Sequence, residues 1–319
     1  MFLVTQFIGL FVVNSYLPKQ ELVLNQTTGQ YENITILQPL PYGMQPPEMK
    51  AAPSLISLII SFTIAIVILL ILAKYKWKFL IRAWFFVVVI LALCLAFNAF
   101  LKSFLPYSYL LVLLLAIPLA YLKIYRPSVI IHNFTELLIY PGIAAVFVPI
   151  LNIWTAIIFL ILISVYDMWA VWHSKIMIKM AKFQMNELKI FGGFFVPYMT
   201  KKVRAQIAKL KASKSRKKGK TIKVSLAILG GGDVVFPIIT AGVILSQANQ
   251  GKLPSFFSYL AKPLFNIPGL AAALMVVLGA SLALLFLFAL SEKKKFYPAM
   301  PFISGGIFLA LLIWRLFFY

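Results

Sequence analysis

Val224-Ser-Leu-Ala-Ile-Leu-Gly-Gly-Gly-Asp-Val-Val-Phe-Pro-Ile-Ile239 carries an aspartate inside a run of apolar residues. Ile161-Leu-Ile-Ser-Val-Tyr-Asp-Met-Trp-Ala-Val-Trp172 does the same. Asp167 and Asp233 are the two aspartates among 319 residues. A carboxylate at bilayer depth costs about 2.5–3.5 kcal/mol on insertion scales, so it rarely persists there without a role. Working outward from these stretches, the chain is 62% hydrophobic and 12% charged, with a mean hydropathy of +0.95, the composition of an integral membrane protein. Nine apolar stretches follow one another, at about residues 2–17, 53–73, 79–100, 106–122, 129–150, 152–172, 223–246, 267–290 and 297–317. The expected fold is therefore an all-α membrane protein of about nine transmembrane helices. Residues 1–172 would carry six spans and the first acid. Residues 173–222 would form a basic loop, and residues 223–319 three spans with the second acid.

Charge sets the expected orientation. Of the 30 basic residues, 24 fall on alternate connections, with four between spans two and three, two between four and five, fifteen between Lys175 and Lys223, and three at Lys293–Lys295. Cytoplasmic connections collect Lys and Arg, so the N-terminus and the 173–222 loop are expected in the cytoplasm and the C-terminus outside. The net charge of +22 accordingly points to anionic lipid, not to nucleic acid, for which no aromatic stacking platform accompanies the basic residues. The sequons Asn25-Gln-Thr27 and Asn33-Ile-Thr35 agree with an external 18–52 segment, whereas Asn133-Phe-Thr135 falls in a span. Within the loop, Lys175–Phe183 has the mixture of an interfacial helix, and Lys209–Lys220 is a solvated basic run. Phe191-Gly-Gly-Phe-Phe-Val-Pro-Tyr-Met199 is apolar but too short to span, and is expected to dip into the interface or cover a cavity. The lone Cys94 excludes a disulfide framework and a cysteine zinc site. No metal and no cofactor is expected.

By helix rise, Asp167 lies roughly 8–9 Å from the cytoplasmic end of span six, and Asp233 about 15 Å into span seven. Antiparallel neighbours then allow the two acids to face each other. Two carboxyls in a poorly solvated site share one proton, which equips them for general acid–base chemistry. An intramembrane proton or cation relay in a transporter or channel uses the same residues, and aspartate placement leaves both readings open. Three glycines before Asp233, with Pro237 after it, weaken a regular helix and admit close neighbours or water. His132, Asn133 and Glu136 at the start of span five read as an interfacial cap, and His173 beside Trp172 as an interface anchor. Asn98 and Lys102 close span three, with Lys102 expected to snorkel.

Tyr166-Asp167 and Gly230-Gly231-Gly232-Asp233 resemble the YD and GxGD motifs of presenilin and signal peptide peptidase, the intramembrane aspartyl proteases. Pro298-Ala299-Met300 stands where that family has PAL, with methionine for leucine. The motifs occur in the family's order on spans six, seven and nine, and the resemblance covers about residues 150–317. Compact loops are similar to those of an archaeal member. Prepilin peptidases also carry GxGD, but their cysteine cluster is missing. The resemblance implies a presenilin-like fold and hydrolysis of peptide bonds within the transmembrane helices of substrate proteins in the bilayer. It implies catalytic roles for Asp167 and Asp233, and substrate accommodation by Pro298, Ala299 and Met300. Tyr166, Gly230 and Gly232 would support the site.

Overall fold

The computed structural model describes residues 1–24, 31–36, 38, 51–75, 77–102, 104, 109–174, 192–198, 225–290 and 297–318. Among these, the helices are α1 (Phe2–Ser15), α2 (Ala51–Lys74), α3 (Lys78–Leu101), α4 (Tyr109–Tyr125), α5 (Val129–Phe147), α6 (Ile153–Trp169), α7 (Gly231–Asn249), α8 (Leu270–Leu290) and α9 (Met300–Phe318). Six are long and apolar enough to cross a membrane: α3, α5 with its trailing 3-10 turn, α6 with its π turn Ala170–Ser174, α7, α8 and α9. At 14 and 17 residues, α1 and α4 are shorter. The candidate interfacial helix Lys175–Phe183, the basic run Lys209–Lys220, Lys293–Lys295 and the Asn25 sequon lie outside the described residues.

An all-helical chain was expected, and two antiparallel hairpins modify it. Strand β1 (Lys19–Leu24) pairs with β2 (Tyr31–Ile36), which contains the Asn33 sequon. Strand β3 (Gly193–Tyr198) pairs with β4 (Ser225–Gly230), with Phe194 opposite Leu229. β3 lies within the apolar 191–199 segment, and β4 is the first part of the stretch read as span seven. Its composition explains the difference. Leu-Ala-Ile-Leu suits strand or helix alike, and pairing with β3 takes it as strand up to Gly230, the N-cap from which the helix starts at Gly231.

Packing centres on α5, which touches α1, α3, α4 and α7. One apolar cluster joins α1, α5, α6, α7, α8 and α9. A second joins α3 and α4 to other faces of α1 and α5, making those two helices the seam. Lipid tails are as apolar as leucine, so these contacts gain by close fit and not by escape from water. At the crossing of α3 and α5, a Cβ on Gly142 would lie 2.1 Å from the Ala92 carbonyl oxygen. At that of α8 and α9, a Cβ on Gly279 would lie 2.4 Å from the Gly306 carbonyl oxygen. Only glycine permits either approach. The outward faces carry Phe7, Ile60, Leu114 and Leu282, all exposed, as a lipid-facing surface requires.

Buried hydrogen bonds fix the helix ends. Tyr16 donates to the Leu95 carbonyl at 2.8 Å and accepts from Asn98 at 3.0 Å. Lys102 does not reach freely for the interface as expected. Its ammonium donates to the Ser15 carbonyl and lies 4.8 Å from the Tyr16 ring centroid, tying the open C-terminal end of α1 to α3. α6 starts with a reciprocal box between Asn152 and Thr155, each side chain bonding the other's backbone at 2.8 Å. Cys94 is buried, as a helix-facing hydrophobe would be.

Candidate active site

Asp233 sits where β4 becomes α7. Gly230 is the N-cap, in extended conformation, which makes Asp233 the third residue of the helix. From that position a side chain reaches back to the N-cap amide, and the Gly230 N–H donates to the Asp233 carboxylate. A Cβ on Gly230 would stand 2.9 Å from Asp233 Oδ2, so the first glycine of the motif is required by the carboxylate itself. The positive end of the helix favours an acid here. Pro237 does not break the helix as expected. It lies within α7 and lacks the N–H that would bond the carbonyl of Asp233, a defect a packed membrane helix tolerates. The next carbonyl, of Val234, accepts from Gln6 Nε2 at 2.9 Å. The expected helical depth of about 15 Å for Asp233 is corrected by the strand, since the acid is one turn from the start of its helix.

Asp167 occupies the last turn of α6 and is 6% exposed. Its Oδ2 accepts from the Met300 amide at 3.1 Å, and the Ala299 amide also donates to the carboxylate. Those N–H groups open α9 and have no partner within their own helix. Asp167 thus caps α9 from 133 residues away. Buried Pro298 lies beside this contact in sequence, and one turn back on α6 the hydroxyls of Ser164 and Ser304 are 2.9 Å apart. α6 packs against α7, which puts the two acids on neighbouring helices.

Other expected members divide. Tyr166 is 51% exposed and stands by Trp169, with ring centroids 6.5 Å apart, so it faces away from the buried carboxylate beside it. Gly232 is exposed, and a Cβ there would make only an ordinary contact at 3.4 Å with Phe236. The crowded middle position is Gly231, where a Cβ would come within 3.0 Å of the Tyr140 ring and hydroxyl. Sequence reading passed over Tyr140, because an aromatic residue in an apolar run carries no mark of its own. Among the described residues, the buried side-chain polar atoms without a hydrogen-bond partner are the Tyr140 hydroxyl and Gln6 Oε1. Both side chains border the first turn of α7, at Gly231 and Val234.

The expected interfacial cap of α5 is a further correction. Ser128 caps that helix, while His132, Asn133 and Glu136 are buried and turn inward. Lys123, expected on a cytoplasmic connection, is also buried, 2.6 Å from Glu136. Burial in a membrane explains both departures, since a lysine with a carboxylate in reach pairs with it there. His173 is exposed at the π turn. Among the described residues, no group of three His, Cys, Asp or Glu side chains is placed to hold a metal. A cavity of about 250 Å³ lined by Asn152, Gln247, Gln250 and Lys252 lies at the far ends of α5 and α7 and includes neither aspartate.

Residues 42–319 match the family model described as signal-peptide peptidase, presenilin aspartyl protease. Among solved structures, the chain is similar to a presenilin family intramembrane aspartate protease in the C222 space group, with 18% identity and a TM-score of 0.55. That alignment covers 99% of this chain and 96% of the other. A structure of a presenilin family intramembrane aspartate protease in the P2 space group aligns with 18% identity and a TM-score of 0.53, over 99% of this chain and 95% of that one. No curated protein matches the sequence.

Proposed function

The chain belongs to the signal-peptide peptidase and presenilin aspartyl protease family, and from that premise we propose that Asp167 and Asp233 are its catalytic pair, cleaving peptide bonds within transmembrane helices. The observation that carries this reading is the convergence of two intramembrane carboxylates, each held by amides at a helix start. One carboxylate takes a proton from water as the water oxygen attacks the scissile carbonyl carbon. The other acid gives its proton to the carbonyl oxygen, forming a neutral gem-diol. Collapse breaks the C–N bond: the leaving nitrogen takes the pair's proton while one gem-diol hydroxyl gives its own to the other carboxylate, so a carboxylic acid and an amine leave and the pair is again singly protonated. Cleavage should follow a bell-shaped pH profile whose limbs belong to the pair, since only its singly protonated form is competent. The unpartnered Gln6 oxygen offers a water or a substrate amide a polar partner at the first turn of α7.

Pro298, Ala299 and Met300 accommodate substrate in this reading, and Gly230 keeps space for the carboxylate. All nine helices cross the cell membrane, with the N-terminus and the 173–222 loop cytoplasmic and the C-terminus external. Support comes from the alternating basic connections, where about 1 kcal/mol of attraction to anionic lipid accrues per Lys or Arg near the surface. Substrates with an external N-terminus are then preferred. The test is cleavage of a single-span peptide by purified protein in lipid, with Asp167→Ala and Asp233→Ala beside it. Products from wild type alone support the proposal; equal products from either variant overturn it. Orientation is read on a Cys94→Ala background with an impermeant thiol reagent. Thr28→Cys should label on intact cells and Ser213→Cys should not, and the reverse pattern inverts the topology.

A further inference from the structure

Two consecutive α5 side chains occupy the backbone edge of β3 that β4 leaves open. In an antiparallel ladder the amides and carbonyls of alternate residues point to opposite edges. His132 Nε2 lies 2.7 Å from the Gly193 carbonyl oxygen. Asn133 donates to the Phe195 carbonyl at 2.8 Å and accepts from the Phe195 amide at 2.9 Å, as a neighbouring strand would. Residues 193 and 195 therefore face α5, and the intervening residues face β4. The ladder toward β4 extends one step beyond the strands, where the Gly231 amide donates to the Gly192 carbonyl at 3.2 Å. Gly231 is the first residue of α7, two before Asp233.

Behind this edge lies a buried charged group. Lys123 Nζ is 2.6 Å from Glu136 Oε1 and 3.4 Å from His132 Nδ1. An ammonium only donates, so Nδ1 must accept; a carbonyl only accepts, so Nε2 must carry the proton. Lys123 thereby selects the ring tautomer that grips Gly193, and Glu136 balances the lysine. A buried ion pair is poor at stabilising a fold relative to apolar residues of equal volume, but it can enforce one geometry.

We propose that Lys123, His132, Asn133 and Glu136 form a positioning lock that holds β3 in register and, through the Gly192–Gly231 bond, sets Asp233 in place. The lock deepens, and rests on, the reading of Asp233 as catalytic. Its residues touch no reacting atom; they act through the hairpin. Tyr140 completes it as a wedge, one turn after Glu136 and in contact with the space above Gly231.

The test uses the full chain in lipid, comparing wild type with Asn133→Ala, His132→Ala and His132→Gln. Two readouts are taken together: amide hydrogen exchange over residues 193–198 and 225–234, and kcat and KM on a single-span peptide. Asn133→Ala and His132→Ala should speed exchange in the hairpin and lower kcat about tenfold, with KM within about twofold. His132→Gln, which keeps an N–H donor, should recover most of both. Unchanged exchange overturns the lock, as does faster exchange with unchanged kcat. A wild type that cleaves nothing fails the proposed function, while the lock is then judged by exchange alone. If Asn133→Ala does not fold, Glu136→Gln, equal in size and without the charge, is read by the same criteria.

Discussion

Asp167 and Asp233 are mounted by the same chemical device at very different chain distances. Asp233 takes the amide of Gly230, three residues before it. Asp167 takes the amides of Ala299 and Met300, contributed by another helix. The first mount is local and forms with the β4–α7 turn. The second exists only when α6 and α9 have docked, a contact that the Ser164–Ser304 pair and the close α8–α9 crossing help to fix. Correct placement of one acid is thus a matter of local backbone, and of the other a matter of tertiary assembly. Helix starts supply unpaired N–H groups wherever they occur, so both routes reach the same result.

The comparison breaks most severely if either acid proves dispensable. On the proposed pairing, Asp167→Asn and Asp233→Asn should each reduce cleavage by at least about 10⁴-fold, and the double variant should be no worse than either single one, as residues that act as a unit behave. Additive losses measured in single-turnover assays would mean that the acids work separately.

The local mount can be probed next. Gly230→Ala puts a methyl 2.9 Å from Asp233 Oδ2 and must push the carboxylate aside. A displacement of that kind should lower kcat about 100-fold. Gly232→Ala meets only Phe236 at 3.4 Å, so kcat should stay within about threefold. Equal effects from the two would remove the steric account of the motif's first glycine.

How much of this was legible in sequence differs between the two mounts. The aspartates stood out because ionisable residues are costly in lipid, and the order of the motifs pointed to the family from residues 150–317, whereas the family model reaches back to residue 42. Helix positions followed from apolar length. The β4 strand did not, because a six-residue apolar run fits strand and helix alike. Nor did the His132, Asn133 and Lys123 contacts with β3 and Glu136, whose partners are backbone atoms or residues on another helix. Near the start of a span, polar side chains suggest a cap by default. The inward turn of these residues depends on a hairpin that periodicity gave no reason to expect. The Asp167–Met300 bond was hidden for a related reason, since backbone donors are present at every residue and only the fold selects which are used.

The remote mount gives a smaller effect. Met300→Pro removes the amide that bonds Asp167 at 3.1 Å, at a first helical position where proline is tolerated. A hydrogen bond to a charged group contributes about 1.5–3 kcal/mol, so a loss of about 10–100-fold in kcat is expected. Met300→Leu keeps the amide and nearly the same volume, and should stay within about threefold. A proline variant as active as the leucine one would show that the Ala299 amide alone suffices to hold Asp167.

Tyr166 supplies the smallest expected effect and the sharpest limit on how far the site extends. Its neighbour Asp167 is buried, yet Tyr166 itself is 51% exposed, because consecutive helix residues point about 100° apart. Its ring meets Trp169 on the outer face of α6, away from Asp233. Removing the hydroxyl by Tyr166→Phe should therefore change kcat less than about twofold, within the range usual for outward-facing substitutions. Tyr166→Ala should lower the thermal midpoint slightly, through the lost ring contact, and leave the pH profile unmoved. A tenfold fall in kcat for Tyr166→Phe would instead mean that the hydroxyl reaches the carboxylates in the substrate complex. α6 would then have to rotate on binding, and the remote mount of Asp167 would not be a fixed one.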